Sequence, residues 1–544
     1  MPIALLNFFT EESDAPRGTI VLMATLAGIA NGLLLAIINN ATEIAANDED
    51  IQARLFLLYL LLLMLFIYAK RFALTRVLLG VESAVRQVRL RIADKIRRSE
   101  LLLVENTGES EIYTRLTYDT GLISQSAIVL TSACQSAVVL FFALLYLAFL
   151  SPLSLLITTL MIYAGVQLYL SHYNRAAAQF REARQQEAEF LDSLSSILKG
   201  FKELKLNQAK SDDLFRHTNE ISHRTEDLKA NVGVGYVIDE MFSQIFYYLL
   251  LAALVFLMPM LVATHAGVIV KVVAVVLFIV GPLELLVGSI PTFTRATVAV
   301  ENLRQLEARL DAAEHRGRAS PAALADNPFR AFATIQLDGL QFHYQDQDGR
   351  AAFSVGPADL EIQRGEVIFI VGGNGSGKST LIKLLTGLYF PADGYIRVDE
   401  QPVTGEAYPL YRELFSTVFT DFHLFDRLYG LEAVDPTRVN HLLKLMEIDH
   451  KTRFQDGRFT NIQLSTGQRK RLAFVACLLE DRPLYVFDEW AADQDPQFRR
   501  FFYQTLLKDL QAQGKTIIAV THDDHYFHVA DRILKMDYGV LRPA

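Results

Sequence analysis

The residues best suited to chemistry lie between Gly372 and Thr380, where four glycines and intervening polar residues precede a lysine and a serine. Glycine lets the backbone fold its N–H groups around a phosphate. A lysine at this position can reach terminal phosphates, and the serine after it can hold Mg²⁺. The spacing predicts a loop that binds ATP, made by Gly372, Gly373, Asn374, Gly375, Ser376, Gly377, Lys378, Ser379 and Thr380.

Two elements must position this loop. Val367–Val371 is apolar and rich in β-branched residues, which predicts a buried strand. Leu381–Gly387 predicts the helix that follows, and a helix N-terminus adds a favourable field for an anion. The order strand, loop, helix is the context in which this spacing binds phosphate.

A second apolar run, Leu484–Asp488, predicts another buried strand and ends in two carboxylates. Asp488 suits Mg²⁺, and Glu489 suits a general base that polarises the attacking water. Thr516–Thr521 predicts a third strand, which brings His522 to its end. We therefore predict ATP hydrolysis with Glu489, His522 and Lys378 as the catalytic residues.

Residues 464–468 read Leu-Ser-Thr-Gly-Gln and precede a basic stretch with helical character. A hydroxyl and a glycine at a helix start form a second anion-binding end. Ser465 and Gly467 are therefore further candidates for contact with ATP.

The first half of the chain has six apolar segments long enough to cross a bilayer, which takes about 20 residues. They are Gly18–Asn39, Leu55–Arg76, Ser126–Leu150, Pro152–Leu170, Tyr236–Val262 and Gly267–Gly288. We predict a transmembrane domain over residues 1–310, a linker over 311–330 and a nucleotide-binding domain over 331–544. Glu284, in the last segment, is the ionisable residue that we link to cargo; a helix–helix contact is the alternative.

Charges between the spans predict the orientation. The connections at 70–120 and 171–235 are rich in lysine and arginine, whereas the connection after the first span is acidic. The positive-inside rule puts both long connections and both termini in the cytoplasm. Their charged periodicity predicts helices that continue out of the membrane, with turns at Glu105–Thr120 and Gly200–Asn207. Such turns can contact a cytoplasmic domain, or they form a solvated hairpin.

Composition excludes some functions. The net charge of -9 disfavours a nucleic-acid partner. Cys134 and Cys477 lie in separate apolar runs, which favours two buried thiols over a disulfide or a metal site.

Taken in order, these motifs resemble those of the ATP-binding cassette (ABC) transporter family, and the resemblance covers the whole chain. It implies an all-α six-helix transmembrane domain of the type IV exporter kind, followed by an α/β P-loop NTPase domain. Its motifs imply ATP contacts by Ser465, Thr466, Gly467, Gln468 and Asp495, stacking of Tyr344 on adenine, and Mg²⁺ binding by Ser379 and Asp488. Thr466 stands where the family has a glycine. Thr420 stands where the family usually has glutamine, and its hydroxyl can still touch Mg²⁺ or its water.

Three stretches look like bacterial cyclic-peptide exporters, a group that includes siderophore and lipopeptide exporters: Gly200–Asn207, Phe415–Arg427 and Asp488–Pro496. The resemblance implies a homodimer in the bacterial inner membrane that exports a peptide-like or siderophore cargo, with periplasmic or outer-membrane export partners as a further expectation. One copy would complete the ATP site of the other. The alternatives are a flippase for lipid or lipid-linked oligosaccharide, a siderophore importer, and a non-transporting membrane ATPase that senses or gates a partner.

Overall fold

The structure is a computed structural model that describes residues 8–9, 11–12, 16–46, 53–261, 266–312, 321–345, 351–431 and 434–544. The chain divides into two compact units. One comprises Met1–Arg91 and Tyr113–Arg304, and the other comprises Ile92–Ile112 and Gln305–Ala544. Parts of three predicted features lie outside the described residues: the acidic connection at 47–52, the end of the fifth span at Val262, and the linker at 313–320. The boundaries at residues 310 and 330 stay a prediction.

The N-terminal part of the chain is helical. Its helices are Arg17–Ala46, Ala53–Arg98, Leu101–Thr107, Glu109–Thr114, Thr120–Leu150, Pro152–Lys199, Phe201–Leu206, Gln208–Ala252, Met258–Leu261 and Ala266–Ala312, with π-helical segments at Arg115–Asp119 and Ala253–Leu257. Four of them have 45 to 48 residues. A helix of that length measures about 70 Å, against about 30 Å for the hydrocarbon core of a bilayer. The predicted continuation of the spans as long helices is confirmed.

Five helical stretches of the described chain are long and apolar enough to cross a membrane: Gly18–Thr42, Ala53–Arg98, Glu109–Leu150, Gln244–Leu261 and Gly267–Ala312. Each overlaps one predicted span. The remaining prediction, Pro152–Leu170, falls on a shorter apolar stretch, Pro152–Leu168, at the start of a 48-residue helix. Apolar side chains such as Leu147, Leu254 and Val275 are fully buried where these helices pack together. The prediction of two buried thiols is confirmed for Cys477 but wrong for Cys134, which is exposed on its helix.

The two predicted turns differ in outcome. The short helix Phe201–Leu206 lies between Gly200 and Asn207, and the Asn207 side chain accepts a hydrogen bond from the N–H of Lys210 at 3.0 Å, which caps the next helix. The turn predicted at Glu105–Thr120 is confirmed only at Gly108, because the chain first leaves the long helix earlier, at residues 99–100. The long helix ends at Arg98, the short helix Leu101–Thr107 follows, and helix resumes at Glu109 after a second break at Gly108, which has φ 78. The polar residues that suggested a turn instead form helical and π-helical backbone.

The C-terminal part is an α/β domain. Its strands are β1 Thr334–Gln345, β2 Ala351–Gln363, β3 Val367–Val371, β4 Asp393–Val398, β5 Gln401–Pro402, β6 Phe415–Val418, β7 Phe454–Gln455, β8 Arg458–Phe459, β9 Leu484–Asp488, β10 Thr516–Val520, β11 Arg532–Asp537 and β12 Val540–Pro543. Its helices are Pro321–Ala325, Lys378–Leu385, Tyr408–Arg412, Pro436–Leu445, Thr466–Glu480, Pro496–Phe501 and Leu507–Ala512. Short 3₁₀ turns cover Pro328–Ala331, Trp490–Asp493 and Asp524–Val529, and Phe502–Leu506 is π-helical.

The strands form an antiparallel sheet of order β2-β1-β4-β5, a sheet of order β12-β11-β3-β10-β9-β6, and the pair β7-β8. In the six-stranded sheet only the β11–β12 pair is antiparallel. The carboxyl ends of β3, β9 and β10 therefore meet at one edge, which is where open α/β sheets bind their ligands. This arrangement confirms the strands predicted at Val367–Val371 and Leu484–Asp488.

Candidate ATP site

The loop after β3 has a backbone that only glycine can adopt at two points. Gly372 has φ 155, and a Cβ there would lie 2.2 Å from the Met536 carbonyl oxygen. Gly377 has φ 102, and its Cβ would lie 2.9 Å from a methyl of Val355. The helix Lys378–Leu385 starts directly after Gly377. The loop thus brings its N–H groups and a helix N-terminus to one place, as phosphate binding requires.

Lys378 is the buried cation of this loop, with a side chain 5% exposed. Its Nζ donates to the carbonyl oxygens of Gly372 at 2.9 Å and Gly373 at 3.0 Å. The same ammonium lies 3.9 Å from Oε1 of Glu489. Two residues predicted to be catalytic from separate motifs are therefore brought together.

Asp488 ends β9 and is buried. Its Oδ1 has no hydrogen-bond partner among the described residues. Burial raises the pKa of the Asp488 carboxyl, and the hydroxyls of Thr420 and Ser379 partly offset this. A divalent cation would satisfy the buried oxygen and favour its charged form, so these residues fit the Mg²⁺ that the sequence predicts.

Thr420 follows β6 and lies beside Asp488. Its hydroxyl donates to the Asp488 backbone carbonyl at 3.2 Å. Thr420 therefore helps to fix the end of the strand that carries the acidic pair. Whether it also touches Mg²⁺ stays a prediction.

Glu489 has a left-handed backbone with φ 51, uncommon for a residue other than glycine. Its N–H donates to the Val520 carbonyl at 3.2 Å, and its carbonyl accepts from Lys470 Nζ at 2.7 Å. These contacts aim the carboxylate at His522, whose Nε2 lies 3.3 Å from Oε1. A partly exposed carboxylate held in this way can accept a proton from water.

Tyr344 lies near the end of β1, at the start of the same domain. Its hydroxyl is 3.2 Å from the Thr380 hydroxyl, two residues into the helix after Lys378. Tyr344 also hydrogen-bonds the Tyr389 hydroxyl at 3.4 Å. The predicted adenine-binding aromatic is thus beside the phosphate loop, although the loop starts 28 positions further along the chain.

The residues from Ser465 to Gln468 form a second group. Ser465 caps the helix Thr466–Glu480, and the Gln468 side chain accepts from the Ser465 N–H at 3.3 Å, so the two make a reciprocal capping box. A Cβ on Gly467 would lie 2.5 Å from the Asp493 carbonyl oxygen. The Gly467 carbonyl accepts from the Gln494 amide at 3.1 Å. Glycine is required here by the close approach of residues 493–494.

Asp495 belongs to this second group. It caps the helix Pro496–Phe501 by accepting from the Phe498 N–H at 2.9 Å, and it pairs with Arg471 Nη2 at 2.7 Å. The Phe498 N–H, followed by Arg471, lowers the pKa of the Asp495 carboxyl. In the described residues, the contacts of Asp495 join it to the helix that begins at Thr466.

Sequence reasoning missed two buried cations: Lys470, which connects the two groups, and Arg471, which organises the second group. Lys470 is 3% exposed, and its Nζ binds both the Glu489 carbonyl and Asp493 Oδ2 at 2.7 Å. Arg471 stacks 3.5 Å above the centroid of Phe498 and donates to Gln494 at 2.8 Å. In sequence the pair belongs to a basic stretch that is typical of a solvated surface. Both side chains become buried because residues 19 or more positions away pack around them.

Trp490, the only tryptophan of the chain, anchors the loop that carries Glu489. It is 1% exposed, stacks on Phe502 with centroids 4.3 Å apart, and donates from Nε1 to the Lys470 carbonyl at 2.9 Å. The segment Asp488–Pro496 therefore combines the two carboxylates that we predict to act in ATP hydrolysis with a core residue.

We expect Trp490→Ala to destabilise the nucleotide-binding domain by about 3–5 kcal/mol, because a large cavity and an unpaired carbonyl remain. In a domain of this size the unfolding midpoint should fall by about 10 °C. Calorimetry of the full-length protein measures this shift, and Trp490→Phe serves as the conservative control with a smaller effect. An alanine variant as stable as the parent would contradict the anchoring role.

Known proteins share both this architecture and its motifs. Residues 355–492 match the ABC transporter family. Over 463 residues the chain is 35% identical to the ATP-binding protein SyrD of Pseudomonas syringae pv. syringae, covering 84% of this chain and 82% of that protein. The chain belongs to the ABC transporter family.

More distant ABC proteins also match most of the chain. The ATP-dependent lipid A-core flippase of Nitrosococcus oceani is 25% identical over 458 residues, covering 80% of this chain and 73% of that protein. A bacterial Atm1-family ABC exporter with ATP bound matches with a TM-score of 0.76 at 18% identity, covering 96% of this chain and 93% of that structure. At 18% identity, this structural match shows only that the two folds are similar.

This ABC transporter is a half-transporter of the exporter type, with one helical membrane domain followed by one nucleotide-binding domain. The predicted fold class is confirmed. The chain binds ATP and couples its hydrolysis to transport. It is a membrane protein whose ATPase domain lies in the cytoplasm.

Proposed function

We propose that the chain exports a cyclic peptide, a peptide siderophore or a lipopeptide from the cytoplasm across the bacterial inner membrane. The observation that carries the proposal is the 35% identity with SyrD over 463 residues. Residues 331–544 are fewer than half of the chain, so this match extends far into the membrane domain, where an exporter binds cargo. The resemblance of Gly200–Asn207, Phe415–Arg427 and Asp488–Pro496 to peptide exporters supports the same cargo class.

The proposal includes a homodimer with two composite ATP sites. Lys378, Asp488, Glu489 and His522 form one group, whereas Ser465 and Gly467 belong to another that is organised around Arg471 and Asp495. Ser465 is exposed at its helix N-terminus and is free to meet an anion from a second copy. Each site would then take its phosphate loop from one chain and Ser465–Gln468 from the other.

Within that site we assign the following roles. Residues 372–380 bind the triphosphate and Tyr344 stacks on adenine. Ser379, Asp488 and Thr420 hold Mg²⁺ directly or through water, and Mg²⁺ neutralises charge on the phosphates. Glu489 removes a proton from the attacking water, and His522 orients Glu489 and contacts the terminal phosphate.

Disulfide cross-linking tests the composite site. One chain carries Asn374→Cys and a co-expressed chain carries Ser465→Cys; both positions are exposed. Oxidation in the presence of ATP should give a covalent dimer, because the proposed composite site places these two residues next to each other across the interface between copies. Pairing Asn374→Cys with Gln513→Cys, which is exposed at the opposite edge of the sheet, is the matched control and should give none. A mixture that gives no more dimer than this control would contradict shared sites.

A lipid cargo is the second candidate, favoured by the match to a lipid A-core flippase over 80% of the chain. ATPase activity of the full-length protein in nanodiscs separates the two. We expect a lipopeptide or cyclic peptide to stimulate hydrolysis several-fold, and lipopolysaccharide at matched concentration to leave it unchanged. Stimulation by lipopolysaccharide alone would favour the flippase, and no stimulation by either class would contradict the proposed peptide cargo.

A further inference from the structure

A short helix near the end of the first long connection contacts the nucleotide-binding domain directly. This helix, Leu101–Thr107, belongs to the same compact unit as residues 305–544. Leu101 and Leu102 pack against the core beneath the phosphate loop. Glu105 pairs with Lys383 at 2.8 Å and accepts a hydrogen bond from the Tyr389 hydroxyl. One acidic residue thus holds two groups of the ATPase domain.

Tyr389 is enclosed by this arrangement. Its side chain is 1% exposed and stacks on Phe342 with centroids 4.8 Å apart. The Lys383 ammonium lies 5.0 Å from its ring centroid. Because packing fixes the ring, the Tyr389 hydroxyl can form hydrogen bonds only with the groups that surround it.

The contacts continue from Tyr389 to the ATP site. The Tyr389 hydroxyl accepts from Tyr344 at 3.4 Å, and the Tyr344 hydroxyl lies 3.2 Å from Thr380. A hydrogen-bonded chain of four side chains, Glu105–Tyr389–Tyr344–Thr380, therefore runs from the short helix to the helix of the phosphate loop. We call it the tyrosine relay.

We propose that Tyr389 is a positioning residue that holds Tyr344 for the adenine base and ties base binding to Glu105 of the helix Leu101–Thr107. The inference rests on the proposed stacking role of Tyr344. An aromatic ring stacks well only at a fixed tilt and offset, and the relay fixes the hydroxyl end of Tyr344 on two sides. By thermodynamic linkage, base binding that stabilises Tyr344 in this position also stabilises the contact between Glu105 and Tyr389. In the same way, the contact of Glu105 with Tyr389 strengthens base binding.

Nucleotide affinity tests the relay. Calorimetry of the full-length protein in nanodiscs, with chelator present so that hydrolysis does not proceed, gives Kd for ATP and for tripolyphosphate, which lacks the base. Tyr389→Phe and Glu105→Gln should each weaken ATP binding about 3- to 10-fold, the effect of one hydrogen bond. Tripolyphosphate affinity should not change. Glu109→Gln, an exposed carboxylate four residues further on, is the matched control and should change neither.

If the variants bound ATP and tripolyphosphate equally weakly, the substitutions would have damaged the phosphate loop, and the relay would be wrong. Normal ATP affinity in both Tyr389→Phe and Glu105→Gln would also contradict it. The double variant Tyr389→Phe with Glu105→Gln should be no weaker than either single variant, because both remove the same chain of contacts. Fully additive losses would contradict it.

The variant Tyr344→Leu distinguishes the relay from the proposed stacking of Tyr344 on adenine. We expect that variant to weaken ATP binding about 10-fold or more by removing base stacking, again with tripolyphosphate unchanged. If Tyr344→Leu weakens ATP while Tyr389→Phe does not, the relay is wrong and the stacking role stands. If Tyr344→Leu leaves ATP affinity unchanged, the stacking role and the relay both fail.

Discussion

Replacing Glu489 by glutamine is expected to lower ATP turnover by about 10²–10⁴-fold, the usual contribution of a general base. Glutamine keeps the size of the side chain and can still contact His522, 3.3 Å away. It cannot take a proton from water. Affinity for ATP should stay within about twofold, since the phosphate contacts assigned to the loop and Lys378 are unchanged.

Steady-state hydrolysis and equilibrium ATP binding by the same preparation measure the two effects. Glu406→Gln, an exposed carboxylate in the same domain, is the matched control and should retain full activity. If Glu489→Gln hydrolysed ATP at nearly the rate of the parent protein, Glu489 would not be the general base.

Lys378→Ala is expected to act at an earlier step, by weakening ATP binding about 100-fold, as the loss of a buried charge-assisted contact predicts. The Lys378 ammonium is 5% exposed and is held by the carbonyl oxygens of Gly372 and Gly373. It is therefore preorganised next to the loop that receives the phosphates. Equilibrium binding of ATP gives the affinity directly.

The exposed Lys508 provides the control, and Lys508→Ala should bind ATP as the parent does. Lys378→Arg extends the test, because it keeps the charge in a larger group. If the Lys378→Ala variant and the parent protein bind ATP with equal affinity, Lys378 does not contact the phosphates.

The phosphate loop and its flanking strand and helix were predictable because all of the information is local. Residues 367–387 give an apolar run, glycines at fixed spacing and a helical stretch in direct succession. The acidic pair Asp488 and Glu489 was predictable for the same reason. The long helices followed from apolar length and charge periodicity.

Contacts made across long stretches of sequence were not predictable. Lys470 reads as a surface residue until the loops around Glu489 and Asp493 cover it. Glu105 acquires its partners Lys383 and Tyr389 from residues more than 270 positions away. Apart from the break at Gly108, the turn assigned to Glu105–Thr120 was misplaced, because residues 109–119 are helical although their polar side chains, taken alone, suit a loop.

The central claim is ATP-driven export of a peptide, and accumulation of a labelled lipopeptide in inside-out membrane vesicles tests it most directly. Vesicles that contain the parent protein should accumulate the label when ATP and Mg²⁺ are added, and should not do so with a non-hydrolysable analogue. Vesicles that contain Glu489→Gln should stay at background. Label that accumulates equally without ATP, or in the Glu489→Gln vesicles, would contradict the claim.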